Sequence, residues 1–221
     1  MSPWRRARPV AALLTCLLPS VAGCTSGSGG TAGPASSAAA GVTPGTAEEL
    51  SALLVTEVPS GLVRVPDADV DPPAGEKSIE DVAGYADDPD YERQVLQDYG
   101  YRYGWERFWG TPGGTVTSVF VDQFDDAPGA AAYVADLAGD AVDYYAGMLE
   151  HDPPSLPAGC LLLTVTHPDP ASQVPGPAAF AWCSRGVFSV AVSAVTGGET
   201  PEQATAEVTA VVPEQLDRLP A

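Results

Sequence analysis

An α+β fold, an antiparallel sheet of about five strands with helices packed on one face, is what this 221-residue sequence predicts. Three observations carry the prediction. Residues 101–109 and 188–194 alternate with the period of two that a half-buried strand requires, and each stretch adjoins a glycine-containing turn. From Asp126 to about Glu150 the apolar residues step by three and four, the period of a helix lying on a sheet. The order strand, tight turn, strand, cap, helix occurs at residues 101–150 and again at 178–218. A duplicated unit would give that order, and so would coincidence, since identity between the halves is low and hairpins followed by helices are common.

The chain opens on the charges Arg5, Arg6 and Arg8, an apolar run from Val10 to Ala22, and then Val21-Ala22-Gly23-Cys24. About a dozen apolar residues match a signal-peptide core and fall short of the roughly 20 that span a bilayer, with Pro9 and Pro19 weakening a span further. The four residues at 21–24 resemble the lipobox of bacterial lipoproteins: an aliphatic residue, two small ones and a cysteine. In that family the thiol is lipidated and the peptide before it is removed, so the resemblance implies a signal peptide at 1–23 and a membrane anchor on Cys24. Two acyl chains hold a protein on a membrane stably where one does not. The alternative is an ordinary secretory signal with Cys24 a plain residue. Arg5-Arg6 invites a twin-arginine export reading without the residues that normally follow the pair.

Residues 24–45 are Ser, Gly, Ala and Thr with few large apolar side chains, and are expected to form a flexible tether, leaving one domain over 46–221. Thr46 followed by Glu48 and Glu49 reads as a helix start, Leu50, Leu53 and Leu54 as its apolar stripe, and Pro59 as its end. Val63 and Val65 suit a short edge strand. Asp67-x-Asp69-x-Asp71 begins like a calcium loop, but Pro72 stands where that loop needs glycine and Ser78 where it needs a bidentate glutamate. Asp87, Asp88 and Asp90 read as a turn and cap before a helix over 90–99.

Tyr101, Tyr103, Trp105, Arg107 and Trp109 then alternate with Arg102, Gly104, Glu106 and Phe108, a strand with one aromatic face. Thr111-Pro112-Gly113-Gly114 is a turn, and 115–124 the returning strand. Asp126 caps the following helix, with Pro128 tolerated in its first turn; the apolar positions Ala130, Val134, Leu137, Ala141, Tyr144 and Met148 extend it to about Glu150. Pro153-Pro154 stop it. Strands are expected at 159–166, 178–183 and 188–194, with a loop at 168–177. Thr200-Pro201-Glu202-Gln203 is a capping box with proline at the first position, and Pro213 should kink or split the last helix.

The chain carries 29 Asp and Glu against 10 Lys and Arg, net −19. Loss of residues 1–23 removes three arginines and no acid, taking the mature chain to −22. Such a surface is ill-suited to nucleic acid or to docking on anionic lipid, both of which need clustered cations, and is suited to keeping an exported domain dispersed. Lys77 is the only lysine. Of four cysteines, Cys16 leaves with the signal peptide and Cys24 is the lipidation candidate. Cys160 and Cys183 remain and are expected to pair, closing a loop of about 24 residues worth roughly 3 kcal/mol. A metal site from two cysteines would need partners at short spacing, which the sequence lacks.

With the lipobox, the stretch Gly100-Tyr-Arg-Tyr-Gly-Trp-Glu-Arg-Phe-Trp109 and the strand start Arg185-Gly186-Val187-Phe188, the chain resembles small exported sensor and accessory domains of actinobacterial lipoproteins, some with a PsbP-like sheet and helices. Activity is mostly unknown in that group, so the resemblance implies a role for Cys24 alone.

No catalytic signature stands out. The nucleophile elbow G-x-S-x-G, the dinucleotide fingerprint and the Walker loop are all missing, and no cofactor or metal is implied. His151 and His167 are the only side chains that could serve as neutral-pH bases, each beside prolines. Asp122 with Asp125 and Asp126 could do acid and base work, although the last two read better as turn and cap. Tyr101, Tyr103, Trp105, Arg107 and Trp109 would line a cleft for a ligand or, more simply, pack helices on the sheet. The expectation is a lipid-anchored, non-enzymatic domain that binds a small ligand or an envelope protein; an envelope hydrolase using His151 or His167 with nearby aspartates, and a purely structural envelope protein, are the alternatives.

Overall fold

The computed structural model describes residues 41–220 apart from 112–113, 170–171, 173 and 199. The expected signal peptide at 1–23, Cys24 and residues 25–40 of the tether lie outside them. Five helices are described: α1 (Ala47–Ser51), α2 (Ile79–Ala83), α3 (Pro89–Asp98), α4 (Ala127–Tyr145) and α5 (Pro201–Arg218). Seven strands, β1 (Gly75–Lys77), β2 (Tyr101–Gly110), β3 (Val116–Phe124), β4 (Met148–His151), β5 (Leu161–Val165), β6 (Ala178–Arg185) and β7 (Phe188–Val195), form one antiparallel sheet in the order β1-β2-β3-β7-β6-β5-β4. The α+β class and the antiparallel sheet are as the sequence predicts.

Two details differ. The sheet has seven strands rather than about five, because β1 and β4 are edge strands of three and four residues, too short and polar to show a period. Helices also cover both faces rather than one. On one face α1 and α5 bury Leu50, Leu54, Val208 and Val212 against Val119, Val190 and Val192. On the other, α4 lays Val134, Ala138 and Ala141 over Leu163, Phe180 and Trp182, while α3 and the start of α4 close on Phe124 through Leu96 and Tyr133. The continuous run of buried residues in β6 reports this: a strand covered on one side would alternate. The opposite docking also separates the two strand-strand-helix halves, since α4 crosses over the second hairpin while α5 packs back on its own.

Helix starts follow the side-chain chemistry. Thr46 Oγ1 accepts from Glu49 N at 3.2 Å, Asp88 Oδ1 from Tyr91 N at 3.1 Å, and Asp126 Oδ1 from Gly129 N at 2.8 Å. Gln203 Oε1 accepts from Thr200 N at 3.0 Å in the expected capping box. A further box, Ser78 with Asp81, starts α2, a helix the sequence reading passed over. Two helix ends depart from expectation. α4 stops at Tyr145 rather than near Glu150, because Ala146 takes a left-handed φ of 52° and Gly147 lets the chain close on β5, where a Cβ would meet Thr164 O at 2.7 Å. Met148 therefore sits exposed on β4 and not on an apolar helix stripe. α5 runs unbroken through Pro213, its one missing N–H being the donor to residue 209. Val63 and Val65 flank a single bridge between Arg64 and Trp109 rather than a strand.

Cys160 and Cys183 form the expected disulfide, Cys160 standing just before β5 and Cys183 within β6, so the bond staples neighbouring strands.

Candidate functional site

The aromatic stretch divides between the two faces. Tyr101 pairs with Phe124 and Tyr103 with Gln123, a β-bulge that turns Tyr101 to the α4 side while Tyr103, Trp105, Arg107 and Trp109 face α1 and α5. There the chain from Pro44 to Thr56 lies over them. Tyr103 OH donates to Pro44 O at 2.8 Å, Arg107 Nη1 to Leu54 O and Val55 O at 3.0 and 2.8 Å, Arg107 Nη2 to Ser51 O at 2.8 Å, and Trp109 Nε1 to Thr56 O at 3.3 Å. Gln123 and Gln215 complete the clasp on Pro44 O, Leu53 O and Val55 N. These side chains anchor backbone groups before α1, at its end and in the turn that follows it. Pro44 is itself buried by this packing.

The opposite face holds a cavity of about 60 Å³ between α4, the end of α2 and the sheet. Strand register builds its floor, with Glu106 on β2, Phe120 on β3, Ala191 on β7 and Trp182 on β6 in one row. The next row holds Gly104, Asp122 and Ser189, and Phe180 and Ser193 lie on the other side. Helix α4 supplies Tyr133, Leu137 and Tyr145. Tyr145 stacks on Phe180 at 4.5 Å between centroids and Phe180 on Trp182 at 5.9 Å, a tier of three rings forming one wall. Tyr145 keeps its buried hydroxyl without a partner among the described residues.

Facing that wall is a buried polar cluster. Lys77 Nζ lies 3.3 Å from Glu106 Oε2 and also donates to Pro73 O, both side chains being about 95 % buried. Tyr85 OH donates to both Glu106 oxygens at 3.1 and 3.2 Å. Asp122 has only neutral donors, Tyr101 OH at 3.3 Å and Ser189 Oγ at 3.2 Å. Gly104 makes room for it, since a Cβ there would stand 2.1 Å from Asp122 Oδ1 and 2.8 Å from Tyr101 OH. Burial pushes the Asp122 carboxyl up to about 7, with the two hydroxyls opposing. Burial likewise raises Glu106 to about 7 against the pull of Lys77. Tyr85, Tyr101 and Tyr133 are raised above the ordinary tyrosine range, first by burial and then by these carboxylates, and stay protonated donors at neutral pH. Two buried carboxyls raised toward neutral pH beside an aromatic wall make this cavity the candidate site.

Of the carboxylates singled out in the sequence, only Asp122 enters this cluster. Asp125 and Asp126 are exposed, Asp125 lying 3.9 Å from Arg102 and Asp126 capping α4. His151 on β4 and His167 after β5 are exposed, and neither lines the cavity. Asp67 pairs with Arg64 rather than standing free for a cation. Among the described residues no three His, Cys, Asp or Glu are placed to hold a metal ion, and no helix is long and apolar enough to cross a membrane.

The members that sequence reasoning missed are Lys77, Tyr85, Glu106, Tyr145, Phe180 and Trp182. Two signals were present: the chain's one lysine, and a glycine interrupting the aromatic strand, which reports a close approach.

No protein-family model matches the sequence, and no curated protein matches it significantly. Among solved structures the chain is similar to the extracellular domain of PknH from Mycobacterium tuberculosis, with a TM-score of 0.48 and 16% identity, covering 80% of this chain and 98% of that one.

Proposed function

We propose that this protein is a lipid-anchored domain on the outer side of the cell membrane that binds a small ligand in the α4-side cavity without transforming it. The cavity carries the reading: a partly enclosed space with an aromatic wall on one side and two buried, neutral-range carboxyls on the other is a binding arrangement that a purely structural sheet would fill with apolar side chains. The anchor rests on the resemblance of Val21-Ala22-Gly23-Cys24 to a lipobox, with residues 24–45 as tether and the signal peptide at 1–23 removed. The Cys160–Cys183 disulfide supports an oxidising compartment. The hydrolase reading loses its bases, because His151 and His167 are exposed and outside the cavity.

The test is to purify the full chain from membranes, read the mass of its mature amino terminus, and analyse a solvent extract of the protein. The expected results are a diacylglyceryl-modified Cys24 at the start and a small molecule that an Ala191→Phe variant, which fills the cavity floor, no longer retains. A soluble chain beginning at Met1 would remove the anchor, and identical extracts from both proteins would remove the cavity.

A further inference from the structure

The cavity is asymmetric in charge, and that asymmetry selects a ligand. Its polar side contains Glu106 and Asp122, and the only cation among the described residues that meets them is Lys77, which is held to Glu106 and to Pro73 O. Asp122, 8% exposed, has two hydroxyl donors and no cation. A carboxylate in so dry a site is poorly compensated by neutral hydrogen bonds, and the strongest available compensation is a positive charge brought in from solution. Tyr145, Phe180 and Trp182, stacked on one another, form an apolar wall that accepts a hydrocarbon body. The space is small, about 60 Å³, and admits only a ligand of a few heavy atoms.

Resting on the cavity reading above, we infer that the ligand is a compact organic cation, a protonated primary amine on a short apolar body, with its ammonium group on Asp122 and its body against the Tyr145, Phe180 and Trp182 rings. With Glu106 paired to Lys77, an anion is repelled by Asp122, and a neutral alcohol leaves the charge on Asp122 unmet. Binding is therefore coupled to deprotonation. The groups that face Asp122 and Glu106 are Lys77 from β1, Tyr85 after α2, Tyr101 on β2, and Tyr133 on α4. The tyrosines stay neutral over the physiological range, which leaves the two carboxyls as the groups that titrate there. With a carboxyl near 7 that must be ionised to bind, about 90% of the protein is competent at pH 8 and about 3% at pH 5.5, so affinity should fall about 30-fold between them.

The experiment uses n-propylammonium and its neutral isostere n-propanol, titrated into the full chain at pH 8.0 and 5.5 and followed through the indole N–H signal of Trp182. The expected result is propylammonium binding on the order of 1 mM at pH 8.0, about 30-fold weaker at pH 5.5, with propanol at least tenfold weaker at pH 8.0 and indifferent to pH. Asp122→Asn, which keeps the shape and the hydroxyl partners, should abolish the preference for the amine while the domain still folds. Equal binding of propanol and propylammonium, or an unchanged preference in Asp122→Asn, would overturn the cation inference and leave the cavity reading standing. If neither probe moves Trp182, both fail.

Discussion

The two faces of the sheet bury polar side chains in different ways. On the α1 and α5 face, Tyr103, Arg107, Trp109, Gln123 and Gln215 reach fixed backbone groups of residues 44–56, and none of them depends on another side chain's protonation. On the α4 face, Lys77, Tyr85, Glu106, Tyr101, Asp122 and Ser189 answer one another, and two members change charge near neutral pH. The first arrangement holds a segment down. The second leaves a site whose charge a ligand or a proton can alter.

If that contrast is right, substitutions on the two faces should differ in their response to pH. The largest effect is expected from Trp109→Ala, which removes a ring 1% exposed and its bond to Thr56 O: about 4 kcal/mol less stability by urea unfolding, the same at pH 5 and pH 8. Lys77→Met should cost about 3 kcal/mol at pH 8, where it strands a buried carboxylate, and far less at pH 5, where Glu106 is protonated. A second change, Glu106→Gln, should restore most of the loss, and a Lys77→Met deficit equal at both pH values would erase the contrast.

Asp122→Asn comes next. Because folding raises the carboxyl, the folded protein holds a proton that the unfolded chain releases between pH 4 and 7, so this group's contribution to stability declines as pH rises through that window and is lowest above 7. The variant should flatten that decline and be roughly 2 kcal/mol more stable than the parent at pH 8, measured by thermal unfolding across the range. Smallest of all, Thr46→Ala removes the α1 cap and should cost about 1 kcal/mol without pH dependence.

The pattern of the sequence revealed the first face better than the second. Period-two stretches marked β2 and β7, and caps at Thr46, Asp88 and Asp126 placed three helices, because these signals are local. The bulge that moves Tyr101 across the sheet leaves no trace in residue spacing. The end of α4 was marked by Ala146-Gly147, but Met148 continued the helical stepping and masked it. The second face assembles Lys77, Glu106 and Asp122 from β1, β2 and β3, and a three-residue edge strand such as β1 is specified by its neighbour rather than by its own composition. Helix docking on both faces was readable only in the unalternating run of Ala178 to Cys183.

The most direct test is a carboxyl carbon NMR titration of Asp122 and Glu106, first in the ligand-free protein. Both buried groups should titrate near pH 7, with n-propylammonium driving the Asp122 midpoint downward. If Asp122 and Glu106 titrate near pH 4, the α4 face is an ordinary structural core and the ligand reading falls with it.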